Sequence, residues 1–463
     1  MNIIDTRIVD GSPARSAGHR QLALIALCLA VLVAQVDTAV VNLAMRPIGA
    51  YFDAGVGAMQ WVIDSYNLVY AVLLLTGGLL ADLYGRRLIF MAGGLVLTLA
   101  SLGCAFAPSI AILITARAVA GLGAALIIPA SLANIRVVWQ QPAERGRALG
   151  IWAACNGLAL AIGPTLGGVL IHHFGWSSVF LIAIPLGAAA LFLAPISIPE
   201  SRDPVGRRFD ASAQALGMIA LGALAYAAIE SHASWTEAAL ALAVSAISAI
   251  LFVRVEAAKG AAALVPLDIF RIREFRGAAV ATAGMTFGMY GTLFLLPLTW
   301  QSTGGLNATQ AGLAMMSMAL IFVLVSPFTG ALVRSFGTRI VTSGGVSIIG
   351  LGLLLIAIGA TLSSFPAEEI GLTLTGLGMG IATGPLMGIA VGAVAASRSG
   401  TASSLINVAR MAGATVGVAI LGSVFAFAGG EETGLCAAML LGGCVQIACA
   451  AFAWSAKPKE QQD

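Results

Sequence analysis

Charge is scarce in this 463-residue chain. Asp, Glu, Lys and Arg make up 10% of it, where a soluble domain carries about 25%. Lysine occurs only at 259, 457 and 459. With 59% hydrophobic residues and a mean hydropathy of +0.96, the composition is that of a polytopic membrane protein, not of a soluble protein with a large core. Other absences remove classes of chemistry. No lysine follows a glycine, so there is no Gly-Lys-Ser/Thr phosphate loop, and the chain does not itself drive work with ATP. There is no Gly-x-Ser-x-Gly elbow. The cysteines (Cys28, Cys104, Cys155, Cys436, Cys444 and Cys449) form no Cys-x-x-Cys and have no histidine at metal-ligand spacing. They read as small apolar packing residues, with neither disulfides nor a metal expected. His172 and His173 are adjacent at a turn and read as loop residues. The chain is not expected to be an enzyme.

What is present is apolar sequence in lengths that cross a bilayer, which takes ~20 residues per helix. Fourteen candidate spans lie at roughly 22–44, 59–81, 88–107, 109–131, 148–170, 176–196, 211–229, 235–254, 277–299, 308–333, 340–361, 369–396, 402–427 and 434–454. The first run is longer than the ~7–15-residue core of a signal peptide and reads as an uncleaved span. With the N-terminus in the cytoplasm, all of the 24 Lys and Arg residues except Arg46, Arg117 and Arg410 fall in cytoplasmic segments. Outer loops then carry Asp53, Glu230, Glu237, Glu368, Glu369, Glu431 and Glu432. Both termini are therefore expected inside.

The turn after the second span, GLLADLYGRR (Gly78 to Arg87), returns after the tenth as GALVRSFGTR (Gly330 to Arg339). At one constant offset Gly78 matches Gly330, Leu80 Leu332, Tyr84 Phe336, Gly85 Gly337 and Arg87 Arg339. A repeat of this kind divides the chain into two equivalent halves with spans seven and eight inserted between them. The resulting plan is a cytoplasmic N-terminus at 1–21, a six-helix half at 22–200 and two inserted helices at 201–254. A cytoplasmic linker at 255–276, read as an amphipathic interfacial stretch, a second six-helix half at 277–456 and a tail at 457–463 follow.

Two carboxylates lie inside apolar runs, Asp37 in the first span and Asp64 in the second, and Arg117 lies inside the fourth. An ionisable residue at bilayer depth costs at least ~2.5–3.5 kcal/mol and marks a functional site by default. At ~1.5 Å rise per residue the three fall ~7–12 Å below the outer helix ends, at similar depth. One arginine can pair with one carboxylate and leave the other to bind and release a proton. Other polar or aromatic residues within spans are Gln35, Trp61, Tyr66, Asn67, Tyr70, Tyr290, Trp300 and Arg410; the partner of Arg410 cannot be named from sequence. Met285, Met289, Met315, Met316 and Met318 read as core packing, with an adaptable apolar wall as the alternative.

These segments resemble the major facilitator superfamily. Gly78-x-Leu80-Ala81-Asp82-x-x-Gly85-Arg86-Arg87 is similar to its signature loop. LITARAVAGLGAA at 113–125, with Arg117 and Gly121, resembles its fourth-helix motif. ALAIGPTLGG at 159–168, with Gly163, Pro164, Gly167 and Gly168, resembles its fifth-helix antiporter motif. VDTAVVNLA at 36–44 and WVIDSY at 61–66 resemble the fourteen-span drug:proton antiporter branch, which includes multidrug and methylenomycin-type resistance exporters. The chain departs from the pattern at Arg334, which stands where Asp82 stands in the first loop, at Ala159, and at Met45-Arg46-Pro47.

The resemblance implies an all-α major facilitator fold of fourteen transmembrane helices in a bacterial-type plasma membrane. It implies a monomer working by alternating access, with no cofactor beyond the proton-motive force and no nucleic-acid partner. The implied function is proton-coupled efflux of amphipathic small molecules, antibiotics and biocides, cationic ones among them. Asp37 with Arg117 are expected to couple protons. Asp64, Trp61, Tyr66, Asn67, Tyr70, Gln35, Tyr290 and Trp300 are expected to meet substrate, with the roles of Asp37 and Asp64 open to exchange. Gly78, Asp82, Gly85, Arg86 and Arg87 form a gating loop, and Gly163, Pro164, Gly167 and Gly168 a hinge. Export of an endogenous metabolite or lipid by the same machinery, and a non-transporting membrane sensor or scaffold, are the alternatives.

Overall fold

The computed structural model describes residues 17–202, 210–230, 234–260, 263, 265, 267–303, 305–394 and 399–456. Within them the regular structure is helical, and no strand occurs. The first half contains α1 (Ala17–Phe52), α2 (Val56–Tyr84), α3 (Arg86–Ala105), α4 (Ile110–Val138), α5 (Pro142–Phe174), α6 (Ser178–Leu181) and α7 (Ala183–Ser197). The inserted pair is α8 (Ala211–Ile229) and α9 (Trp235–Lys259). The second half contains α10 (Arg273–Ser302), α11 (Ala308–Val325), α12 (Thr329–Phe336), α13 (Thr338–Thr361), α14 (Phe365–Gly392), α15 (Ser399–Phe427) and α16 (Glu431–Ser455). The short α6 and α7 together make one traverse, and α11 and α12 another, interrupted by a 3-10 turn at Ser326–Phe328 around Pro327. Thirteen segments among the described residues are long and apolar enough to cross a membrane. The 33-residue α5, which lies along α1 and α11, completes fourteen.

The two halves repeat one pattern of helix pairs. In the first, α1 packs on α5 and α7, α4 on α2 and α3, and α3 on α7. In the second, α10 packs on α15 and α16, α14 on α11 and α13, and α13 on α16. The halves join through α2 against α15, its counterpart α5 against α11, and α1 against α10. The α2–α3 and α12–α13 turns mark one end of the bundle, called here the basic end; the opposite end carries the acidic residues. At both turns a glycine with positive φ breaks the helix, Gly85 at 127° and Gly337 at 81°, a conformation that side chains with a Cβ disfavour.

Contacts between the halves lie toward the acidic end. Gln60 Nε2 donates to the carbonyls of Val418 and Ala419 (3.0 and 2.9 Å), Gln301 to that of Leu43 (3.4 Å), and Thr309 to that of Gly168 (3.1 Å). The α5–α11 seam depends on bare backbone. A Cβ at Gly168 would stand 2.6 Å from the Ala308 carbonyl oxygen, and one at Gly312 2.3 Å from that of Pro164. Such close approach is how small residues let membrane helices pack.

The inserted pair is peripheral. Only 17% of the α9 span is buried, against 89% of α10. Leu240, Leu242, Ile247 and Ile250 of α9 are exposed, which in a bilayer means facing lipid. α8 bridges the seam. Its Gln214 donates to the Val72 carbonyl (2.5 Å) and accepts from Thr76 on α2, while Ser423 of α15 donates to the Ala228 carbonyl (2.5 Å).

Several element boundaries differ from the sequence reading. α1 continues through Pro47 to Phe52. α9 runs to Lys259, so the expected linker begins inside a helix. Of the described residues in that stretch, Ile269 and Phe275, the latter already in α10, are fully buried against the bundle. Glu256 ties the stretch back by accepting from the Val265 amide. Glu368, Glu369, Glu431 and Glu432 belong to the first turns of α14 and α16, where the helix dipole favours acids, and not to loops. His172 and His173 form the last turn of α5, not a loop. The N-terminal 1–16, parts of the 197–210 break and the tail 457–463 lie outside the described residues.

Candidate functional site

Arg117 is 1% exposed two turns into α4, so its charge has to be met by protein. Its Nη1 donates to Asp37 Oδ2 of α1 in an ion pair whose side chains are each 2% exposed. Its Nε donates to the Val62 carbonyl of α2 at 3.0 Å. The guanidinium carbon stands 4.4 Å from the Tyr66 ring centroid, and the Tyr66 hydroxyl donates to the Ala34 carbonyl of α1 (3.1 Å). One arginine thus holds α1, α2 and α4 together by ionic, hydrogen-bond and cation–π contacts. Gly121, one turn along α4, makes this possible: a Cβ there would be 2.4 Å from the Tyr66 carbonyl oxygen. Asp37 keeps Oδ1 unbonded.

Asp64 is fully buried, yet neither carboxylate oxygen has a hydrogen-bond partner. It lies one turn from Gln60 on α2, toward the basic end. Because Gln60 bonds Val418 and Ala419, the same step along the antiparallel α15 reaches Thr415, whose buried hydroxyl is also unpartnered. Asn67, on the same face of α2, is 1% exposed with both amide atoms unbonded. Asp64 and Asn67 therefore lie in the shut α2–α15 seam, apart from the Asp37–Arg117 pair.

Deeper toward the basic end, the register set by Gln60 on α15 puts Tyr70 of α2 level with Arg410, and Thr286, which bonds the Arg410 carbonyl, lies one turn from Tyr290 on α10. Both phenols feel the Arg410 charge. Both tyrosines are 8% exposed, and the Tyr66 and Tyr70 rings are 6.1 Å apart. This supplies the surroundings of Arg410 that the sequence could not name. Gln35 lies on α1 half a turn before Asp37 and is half-buried.

Two other expected contact residues are elsewhere. Trp300 is buried at the acidic end, where its indole N–H donates to Glu368 and its ring lies 5.4 Å from that of Phe365. Trp61 faces α8, with its ring 6.4 Å from Tyr226 and its side chain on the Ala225–Ile229–Ala419 cluster. Tryptophan inside an apolar run carries no sign of which neighbour it faces.

The α2–α3 turn is an ionic staple. Asp82 Oδ1 accepts from Arg86 Nε and Nη2 (3.0 and 2.9 Å). Glu200, just beyond α7, accepts from the Arg87 and Leu88 amides (both 3.1 Å) and so caps α3 from a distance. Arg87 Nη1 donates to the Ile198 carbonyl (3.2 Å), Arg86 N to that of Ser201 (2.8 Å), and Asn134 Nδ2 to that of Arg86 (3.1 Å). Gly78 faces Pro129. The sequence reading did not single out Glu200 or Asn134; an acid just past the sixth span, opposite the Arg86-Arg87 turn, was the available signal. In the fifth-helix motif, Gly163 and Gly167 face Ala39 and Val40 of α1, while Pro164 and Gly168 face α11. α5 remains one unbroken helix through Pro164, so the segment packs the two halves together in this conformation.

The arrangement agrees with known proteins. The model of the Major Facilitator Superfamily matches residues 27–418. The chain is 37% identical over 408 residues to the multidrug resistance protein Stp of Mycobacterium tuberculosis, covering 88% of this chain and 76% of that protein. It is 32% identical over 438 residues to a methylenomycin A resistance protein of Bacillus subtilis, covering 93% of each. The fold matches the crystal structure of a peptide transporter, POT, with a TM-score of 0.70 and 15% identity over 93% of each chain. With fourteen traverses, a repeated six-helix plan, a charged pair joining α1 to α4 and a family match across most of its length, this chain belongs to the Major Facilitator Superfamily.

Proposed function

We propose that this protein exports amphipathic small molecules, antibiotics among them, in exchange for protons by alternating access. The carrying observation is Asp64: a fully buried carboxyl with no cation and no hydrogen-bond donor among the described residues, one turn from the Gln60 bonds that join α2 to α15. The naming of its relatives as multidrug and methylenomycin A resistance proteins supports the substrate class.

With the basic end in the cytoplasm, the hydrogen bonds between the halves lie on the outer side, and the Tyr70–Tyr290–Arg410 level lies on the cytoplasmic side of them. A charged Asp64 in the shut seam would lack any compensation, which costs several kcal/mol. The seam therefore closes over the neutral, protonated carboxyl. When α2 and α15 part at the outer end, Asp64 meets water and takes a proton from outside, and that proton permits reclosure. In the inward state, substrate binding displaces that proton to the cytoplasm, and the uncompensated charge then left on Asp64 drives the seam apart toward the outward state. Asp37, already neutralised by Arg117, holds the α1–α2–α4 frame on which this depends. The unpaired seam carboxyl thus favours exchanging the roles assigned from sequence: Asp64 as proton carrier, Asp37 as its support.

The test is proton release from purified protein in weakly buffered solution on adding rhodamine 123, an amphipathic cation. The expected result is release by the native protein and none by Asp64→Asn, which still binds the dye. Equal release by both would remove Asp64 from the coupling.

A further inference from the structure

Arg410 carries a charge that the fold does not balance. Arginine stays protonated under all ordinary conditions, and inside a membrane bundle its guanidinium needs an anion or several acceptors. Among the described residues no carboxylate forms an ion pair with it, and its Nε is buried without a hydrogen-bond partner. Its backbone is fixed: Thr286 of α10 donates to the Arg410 carbonyl at 2.7 Å, and Gly413 lies against the Ala283 carbonyl. The residue is half-buried, although the helix is clamped to α10. By the α2–α15 and α10–α15 registers, the phenols of Tyr70 and Tyr290, one from each half, lie at its level and feel its charge. Neutral phenols can accept hydrogen bonds from a guanidinium but do not cancel its charge. Meanwhile the only carboxylates within the first half's α1 and α2 membrane runs are occupied, Asp37 by Arg117 and Asp64 by the closed seam.

We propose that Arg410, with Tyr70 and Tyr290, forms a subsite for the acidic group of an amphipathic substrate: a carboxylate, phenolate or enolate carried on a flat apolar body. The guanidinium offers a planar fork of donors that matches a carboxylate in two hydrogen bonds. The Tyr70 ring, with Tyr66 6.1 Å away, offers an aromatic wall for the body. The position is stated for this protein's own export reading and rests on it. It makes acidic or zwitterionic molecules substrates alongside cations, because Arg410 has no carboxylate partner among the described residues.

Two dyes with the same xanthene body separate the claims: fluorescein, an anion at neutral pH, and rhodamine 123, a cation. Binding to the full-length protein is read by fluorescence anisotropy, and flux by proteoliposomes under a pH gradient. The expected result is that fluorescein binds and that Arg410→Gln weakens it at least tenfold, while Arg410→Lys weakens it less. Tyr290→Phe is expected to weaken it two- to fivefold. Rhodamine 123 binding is expected to stay within twofold in both Arg410 variants, which also reports that they fold. Fluorescein that does not bind the native protein, or that binds Arg410→Gln equally, overturns the subsite and leaves rhodamine flux standing. Absence of gradient-driven rhodamine flux in the native protein overturns the export reading instead.

Discussion

The two halves share one helix plan and treat charge in opposite ways. The first half buries two carboxyls and one arginine, pairs Asp37 with Arg117, and leaves Asp64 neutralisable in the seam. The second half has, nearer the basic end, Arg410 without a carboxylate partner among the described residues. The repeated turns differ likewise. The α2–α3 turn is stapled by Asp82 and Glu200, whereas at α12–α13 Arg339 lies 4.1 Å from the Trp454 ring centroid and donates to the Trp454 carbonyl. Arg334 takes the place of the acid there. A duplicated scaffold has thus kept its packing and divided its charge, with an unpaired buried carboxyl in one half and an arginine without a carboxylate partner, among the described residues, in the other.

The largest effects are expected where that division is broken. Asp64→Asn and Asp37→Asn should each lower gradient-driven efflux at least tenfold, but by different routes. Asp37→Ala strands Arg117 in the bundle and should cost about 3–5 kcal/mol of stability. Asp64→Asn removes a group without partners and should leave the melting temperature in detergent unchanged within a degree or two. Equal destabilisation by both would erase the distinction between support and carrier. Next in size is the seam between halves. Gly312→Val pushes a side chain into the Pro164 carbonyl and should hold α5 and α11 apart, raising cysteine labelling at the acidic end and lowering transport. Unchanged labelling would show that α5–α11 contact does not close the protein.

Smaller effects test the two turns. Glu200→Gln weakens a cap of α3 and should cost about 0.5–2 kcal/mol with a several-fold loss of transport. Arg339→Gln loses an exposed cation–π contact of about 0.5–1 kcal/mol and should change transport less than twofold. If the second proves as damaging as the first, the loops are equivalent after all.

The smallest effect concerns the inserted pair, held at its basic end by Lys259 and Asp210. Partial loss of hydration works against the Asp210 charge, but hydrogen bonds from Lys259, the Ala213 amide and Ser212 outweigh it and hold the carboxyl down to about 2. A lowered value means that the pair stabilises the fold fully above the ordinary 3.8 and loses that contribution only as pH falls toward about 2. Lys259→Met should cost under about 1 kcal/mol and leave the pH dependence of transport between pH 5 and 8 unaltered. A shifted pH profile would place proton chemistry outside the first half.

Much of this division was legible in the sequence, for a physical reason. A charge inside an apolar run is conspicuous, so Asp37, Asp64 and Arg117 stood out and their common depth followed from helix rise. The glycine turns announced the repeat. What could not be read was direction around each helix. Trp61 and Trp300 belong to the same runs as Tyr70 and Tyr290, yet they face α8 and Glu368. Apolar residues surround a membrane helix on all sides, so no amphipathic stripe tells the interior from a neighbour or from lipid. Contacts between distant segments, such as Glu200 with the α3 amides or Arg410 with Tyr70, depend on that missing angle.

The central claim is that Asp64 carries the proton. In liposomes containing the purified protein, an imposed pH gradient should drive rhodamine 123 against its own concentration gradient. Asp64→Asn should abolish that uphill movement while still exchanging dye for dye across the membrane. Uphill movement by Asp64→Asn at the native rate would contradict the account.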